Sequence, residues 1–226
     1  MQYAIIFFSL GTFLILLSLK FGLIGWLLCW FGANLVAVGA AYGWLGARVF
    51  GKQANGTIAS WALCLLLPYL LLTWMLWHIQ RLISKEKCCN EIAPGIWLGR
   101  RAFAHELPDN ISLIVDLTAE LAEPLNVISG RNYICIPTLD ASVPDEKVLQ
   151  LLVKQLAAWQ GNMYIHCALG HGRSATVAAA TLVAKGLVGN MNQAEEFLKK
   201  ARPGINFSHA QRQLLTRVGK LGLLDS

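Results

Sequence analysis

The pattern of apolar and charged positions splits the chain near residue 87. Gln2–Leu19 runs 18 residues without a charge, Phe21–Ala47 runs 27 and Ile58–Gln80 runs 23. A bilayer crossing needs about 20 apolar residues in a row. The pattern therefore predicts an all-α transmembrane region of about three helices, with spans at about 2–19, 21–47 and 58–80. Turns fall near Lys20–Gly22 and Arg48–Thr57. Lys20 leaves almost no loop after the first segment, so two spans with an interfacial first segment is the alternative. Met1-Gln2-Tyr3 carries no positive charge and no A-x-A site follows, which fits a cleaved signal peptide poorly. No Asp, Glu or Arg lies inside a span, so nothing marks an ion or proton path. Asn34 and Pro68 read as packing and kink features. Trp74 and Trp77 stand near the end of the last span, where an interfacial belt is expected.

Beyond residue 87 the pattern becomes that of a folded domain, 88–226, with an alternation of short strands and amphipathic helices. Ile111–Leu117, Asn132–Ile136 and Met163–Ile165 read as strands. Pro144–Gln160 reads as a helix, with Val148, Leu151, Leu152, Leu156 and Trp159 at three- and four-residue spacing and Gly161 as its stop. Ser142 with Asp145, Asn192 with Glu195, and Ser208 with Gln211 suggest capped helix starts. An alanine-rich helix covers Ser174–Lys185 and ends at Gly186. Strands alternating with helices predict an α/β domain, a central mostly parallel sheet flanked by helices.

Charge sharpens the division. Residues 1–87 hold one acidic residue, Glu86, against Lys20, Arg48, Lys52, Arg81, Lys85 and Lys87, while the rest of the chain is nearly neutral. Five of the six net positive charges therefore belong to the apolar half and its flanks. It is not the basic patch on a folded domain that nucleic acid requires. With three spans, one side receives Lys20, Arg81, Lys85, Lys87, Arg100 and Arg101 and the other only Arg48 and Lys52. The positive-inside bias then makes this a multi-pass integral membrane protein with a cytoplasmic C-terminal domain and the lipid bilayer as partner. A reducing compartment also suits a reactive thiol.

The chemistry concentrates in nine residues, His166-Cys167-Ala168-Leu169-Gly170-His171-Gly172-Arg173-Ser174. A bare C-x5-R spacing is weak, but His before it, Ser after it, a strand leading in and a helix leading out make it specific. The backbone N–H groups of the curled segment 168–172 form an anion nest, to which the following helix adds its positive end. The same groups favour a thiolate at Cys167, the nucleophilic form. Arg173 offers a planar fork for two phosphate oxygens. Gly170 and Gly172 supply positive φ or close backbone approach. His171 is either a rim residue favouring an acidic substrate or a solvated loop side chain. Cys88 and Cys89 are juxtamembrane, and Cys135 is either a strand residue or a disulfide partner of Cys167. No His or Cys cluster supports a metal, and no cofactor is called for.

Three more segments extend the pattern: Pro94-Gly95-Ile96-Trp97-Leu98-Gly99, Tyr133-Ile134-Cys135-Ile136-Pro137-Thr138-Leu139-Asp140 and Arg202-Pro203-Gly204-Ile205-Asn206. With the Cys167 loop, they make about Glu91–Leu221 resemble the dual-specificity branch of the cysteine-based protein tyrosine phosphatases. The resemblance implies a two-step hydrolysis through a cysteinyl-phosphate, and Asp140 stands where the family places its general acid. Asp145, at a helix start, is the alternative acid, and Asp116 reads as structural. The resemblance also implies that Ser174 donates to Cys167, the other reading being an N-cap. His166 is expected to orient the loop through backbone hydrogen bonds, turned away from the pocket. The expected substrate is a phosphoprotein, chiefly phosphotyrosine, with phosphoserine and phosphothreonine as further candidates. The alternatives are a phospholipid headgroup, of phosphatidylglycerophosphate or phosphoinositide type, and a non-catalytic phosphate-binding protein. The resemblance implies that a lipid-directed member would often carry Lys or Arg just after the cysteine or in mid-loop; here Ala168 and Leu169 are apolar and only His171 could stand in.

Overall fold

The computed structural model describes residues 1–220; Leu221, the last residue of the resembling segment, lies outside the described residues. The chain forms two compact units. One comprises residues 1–53, 57–84 and 119–122, the other residues 54–56, 85–118 and 123–226.

The first unit contains three apolar helices, α1 (Gln2–Ser18), α2 (Gly22–Ala40) and α3 (Ser60–Ile83). A π-helical turn, Ala41–Leu45, and a 3₁₀ turn, Gly46–Phe50, prolong α2. Gly22–Phe50 and Ser60–Ile83 are long and apolar enough to cross a membrane, whereas α1 has 17 residues. Ala4, Gly11 and Ser18 of α1 and Gly25, Gly32 and Gly39 of α2 are buried, at seven-residue intervals in each helix. A Cβ on Gly11 would stand 2.6 Å from the Gly32 carbonyl oxygen, and one on Gly32 2.8 Å from that of Gly11. Small residues thus let the two backbones touch.

Asn34 repairs a break in α3. Pro68 lies inside that helix and disturbs its hydrogen-bond ladder. The Tyr69 N–H, which would normally reach Leu65 four residues back, instead donates to Asn34 Oδ1 at 3.3 Å. Asn34 Nδ2 donates to the Leu65 carbonyl at 2.8 Å, and Trp30 Nε1 donates to the same oxygen at 2.8 Å. The side-chain amide is inserted between the two backbone groups that the helix leaves apart. Trp77, near the end of α3, is buried, while Trp26, Trp44 and Trp61 are exposed.

The second unit is built on a five-stranded sheet in the order β1-β2-β5-β3-β4. The strands are β1 (Cys89–Ala93), β2 (Ile96–Arg100), β3 (Ile111–Thr118), β4 (Asn132–Thr138) and β5 (Asn162–Cys167). β1 and β2 form an antiparallel hairpin through Pro94-Gly95, so the resembling segment opens in a turn and its strand begins at Ile96; the other pairs are parallel. Pro137 is tolerated because β4 is an edge strand. Leu113, Val115 and Leu117 of β3 join a core with Leu149, Leu152, Val153 and Leu156 and with the alanine-rich helix α6 (Arg173–Ala184). Ile114 and Tyr164 belong to a second cluster with Leu107 and Val127. The two-residue period of the strand puts these sets on opposite faces.

Helix boundaries differ from expectation because the caps do. After the short helix α4 (Leu125–Ile128), α5 spans Glu146–Ala158. Its cap is Asp145, which accepts from the Lys147 and Val148 N–H groups, so Ser142 makes no capping box there. Val148 and Leu151 face outward, and the buried stripe is Leu149, Leu152, Val153 and Leu156. Trp159 is already extended, so Gly161 does not end the helix. α7 (Met191–Ala201) is capped by Asn190, not Asn192, because Asn190 Oδ1 accepts from Gln193 N–H. At α8 (His209–Lys220) the Ser208–Gln211 box forms reciprocally.

Candidate active site

The five residues between β5 and α6 are tied down by their carbonyls. Ala168 O accepts from Arg101 N–H at 3.3 Å, and His171 O from Asn206 N–H at 3.3 Å. Leu169 O accepts from Arg202 Nη2 at 3.0 Å and Gly170 O from Arg202 Nε at 3.2 Å. Gly172 O accepts the Thr176 N–H and hydroxyl, both at 2.9 Å. A trans peptide points its N–H opposite to its C=O. Five carbonyls held outward therefore turn the N–H groups of residues 169–173 toward the inside of the loop, where α6 begins. Inward N–H groups of this kind make a concavity that suits an anion.

Cys167 sits at the floor of the loop, buried, with two donors aimed at its sulfur. Gly170 N–H lies 3.3 Å from Sγ and Ser174 Oγ 3.2 Å from it. Ser174 is inside α6, whose cap position is Gly172, so its hydroxyl serves the sulfur and not the helix end. Gly170 has φ of 80°, and a Cβ there would run into the backbone of Gly99, with the Gly99 oxygen at 2.5 Å. No other residue fits that position.

Arg173 is buried, and its Nη1 donates to Thr138 O at 2.8 Å. Its Nη2 lies 3.5 Å from Asp140 Oδ1. Asp140 itself is exposed, its side chain 77% accessible. The turn that carries it includes Ala141 at φ 53°, a left-handed conformation rare for a residue with a Cβ. α8 holds this turn: Ser208 Oγ donates to Ala141 O at 2.8 Å and Gln211 Nε2 to Ser142 O at 3.1 Å. Asp145 is occupied as the α5 cap.

The His166 ring faces two side-chain carboxylates. Its Nε2 lies 4.0 Å from Asp116 Oδ1 and 3.9 Å from Glu123 Oε1, and its ring stacks on Tyr164. Asp116 accepts from the Thr118 N–H and hydroxyl and, at 2.7 Å, from Tyr133. Burial and the Asp116 charge push the Tyr133 hydroxyl well above its ordinary range, so it stays a donor. Among the described residues, Asp116, Glu123 and His166 are grouped closely enough to hold an ion. Arg101, with Nε 3.3 Å from Glu123 Oε2, already supplies positive charge there. Cys135 cannot pair with Cys167. Asp116 is in register with both Cys135 and His166, so two strand spacings, about 10 Å, separate the cysteines. A disulfide needs Cα atoms within about 7 Å.

Three residues to which the sequence assigned no part in the loop bear on it. Arg202 is buried and also donates to Lys87 O and Asn90 Oδ1. Gln211 closes the Asp140 turn. Glu86 accepts from His171 Nε2 at 2.6 Å, so the two readings of that histidine give way to a third, a clasped ring. Glu86 had one visible signal: it is the sole acid among the first 87 residues.

The model of the dual specificity phosphatase catalytic domain matches residues 102–218. The chain belongs to that family. Among solved structures, PTPMT1 in complex with PI(5)P is similar with a TM-score of 0.52 and 22% identity, covering 59% of this chain and 96% of that one. Human DUSP28 gives a TM-score of 0.53 at 19% identity, covering 61% and 99%. A mouse putative dual specificity phosphatase complexed with zinc tungstate gives 0.53 at 18%, covering 63% and 92%. These likenesses concern the fold. No curated protein sequence gives a match.

Proposed function

We propose that this dual specificity phosphatase domain hydrolyses phosphomonoesters through Cys167 and is anchored by the apolar helices 1–87 in a membrane, with residues 88–226 on the cytoplasmic side. The observation that carries the chemistry is the buried Cys167 sulfur with Gly170 N–H and Ser174 Oγ aimed at it, inside a loop whose carbonyls all face out. The loop N–H groups between Ala168 and Arg173 and the Arg173 guanidinium bind the dianion. Cys167 Sγ attacks phosphorus in line; the S–P bond forms as the ester P–O bond breaks, and Asp140 gives its proton to the leaving oxygen. Water then attacks phosphorus and passes a proton to Asp140. The S–P bond breaks, with Ser174 donating to the departing sulfur. Donors pointed at that charge contribute only if they are in place beforehand, which the outward carbonyl bonds ensure.

The substrate reading is a phosphoprotein. Ala168 and Leu169 are apolar, and His171 is bound to a carboxylate. The loop thus offers one cationic grip, Arg173, suited to one phosphate group. A phospholipid headgroup is the second reading. Two helices are long enough to cross a bilayer, and only Ser84–Cys88 join α3 to β1, which favours a substrate held in the same membrane. The test uses the full-length protein in mixed micelles, comparing a phosphotyrosine peptide with a phosphatidylglycerophosphate and a phosphoinositide, with Cys167→Ser as the blank. Faster turnover of the lipids would replace the first substrate reading by the second. No turnover of any of them, nor of an aryl phosphate, would overturn the enzyme reading.

A further inference from the structure

We propose that Glu86, three residues beyond the end of α3, is a positioning residue of the phosphate loop, acting through His171 and resting on the reading of that loop as the catalytic one. His171 lies between Gly170 and Gly172, the two residues of the loop with the widest backbone freedom. Its conformation is set from outside. Asn206 N–H holds its carbonyl, and Glu86 holds its ring.

One carboxylate closes three segments. Glu86 Oε2 lies 2.6 Å from His171 Nε2 and 3.3 Å from Arg202 Nη2, while Oε1 accepts from Gly204 N–H at 3.1 Å. Burial alone would raise the Glu86 pKa, but the His171 bond and the Arg202 charge outweigh it and hold the carboxyl below its ordinary 4.5. The carboxylate is therefore ionised at neutral pH and accepts the His171 N–H. Room for this approach is built in at Gly204, where a Cβ would stand 2.6 Å from both Glu86 Oε1 and His171 Nε2. The same Arg202 that grips Leu169 O and Gly170 O is thus braced by the segment leading out of α3. With the ring clasped, the N–H groups of His171 and Gly172 keep their inward aim. These groups contribute most when the phosphoryl group becomes trigonal bipyramidal, so Glu86 bears on the chemical step more than on ground-state binding.

The experiment uses full-length protein in detergent, with Glu86→Ala, Glu86→Gln, His171→Ala and Glu86→Ala/His171→Ala. Turnover of an aryl phosphate is measured beside binding of tungstate, a tetrahedral oxyanion, and vanadate, which takes the five-coordinate geometry. Glu86→Ala is expected to lower kcat about tenfold or more and to change KM less than threefold. Vanadate affinity should fall by a similar factor and tungstate affinity by less than threefold. Glu86→Gln, which keeps an acceptor, should fall between Glu86→Ala and wild type. The double variant should be no worse than His171→Ala, since both lose the same bond. Unchanged kcat, equal losses of tungstate and vanadate, or additive effects in the double variant would overturn the proposal. If the wild type bound tungstate but hydrolysed nothing, the phosphatase reading would fall alone. A vanadate affinity that Glu86→Ala leaves untouched would then sink the positioning role as well, and a fall abolished in the His171→Ala background would uphold it.

Discussion

Arg202 Nε donates to Gly170 O at 3.2 Å, and that bond joins the turn after α7 to the middle of the phosphate loop. The same guanidinium reaches Leu169 O, Lys87 O and Asn90 Oδ1. A lysine carries the charge but cannot fork to four acceptors. Arg202→Lys should lower kcat/KM about 10²-fold and cost about 2–3 kcal/mol of stability. Steady-state kinetics and thermal unfolding of the same preparation check both; a stability loss with kinetics intact would show that the loop does not depend on this brace.

Cys167→Ser and Arg173→Lys should each abolish turnover. The serine variant should still bind tungstate, because the nest and Arg173 remain, whereas the lysine variant should lose that binding. Titration calorimetry separates them.

Asp140→Asn should slow alkyl phosphates far more than a nitrophenyl phosphate, whose leaving group needs little protonation. The exposed carboxyl, 3.5 Å from Arg173, is open to a leaving oxygen arriving at the loop. Equal losses on both substrates would point to another acid.

Ser174→Ala removes a donor aimed at the sulfur and should slow release of phosphate from Cys167 by about 10²-fold. A nitrophenol burst equal to the enzyme concentration, absent from wild type, is the expected stopped-flow signature.

Glu195 is held below the ordinary carboxylate range by its bonds to Lys199 and Arg212, which outweigh the effect of burial. Because the folded value is depressed, the stabilisation is complete above 4.5 and is lost as pH falls through the lower folded value. Glu195→Gln should therefore lower Tm slightly at pH 7 and not at all in strong acid, the effect being small for an exposed pair. Melting curves across that range decide it.

Within unit one, Asn34→Leu leaves Tyr69 N–H and Leu65 O without the amide between them. A loss of about 1–2 kcal/mol is expected on denaturant titration in detergent. No change would mean that α3 closes its own ladder past Pro68.

The loop from His166 to Ser174 was legible in the sequence because its chemistry is local. The thiol, the curled backbone and the guanidinium sit on consecutive residues between a strand and a helix, so spacing nearly defines geometry. The apolar stretches were legible for the same reason: composition over 17 to 24 residues decides whether a helix can face lipid. The seven-residue repeat of Ala4, Gly11 and Ser18 against Gly25, Gly32 and Gly39 was equally present, but a count of charges does not register small residues.

Helix starts were misjudged where several polar residues competed for one cap. Asp145 and Asn190 won over Ser142 and Asn192 because their oxygens meet the first free N–H groups, a matter of backbone angles. The loop's restraints were beyond reach altogether. Arg202 stands 32 residues from Gly170, and Glu86 stands 85 from His171. Which distant polar group meets a given carbonyl depends on how strands and turns stack. The sequence alone determined the Cys167–Arg173 spacing and the apolar helices; only tertiary packing decided which donors turn the loop carbonyls outward, since those bonds form between segments that no local pattern brings together.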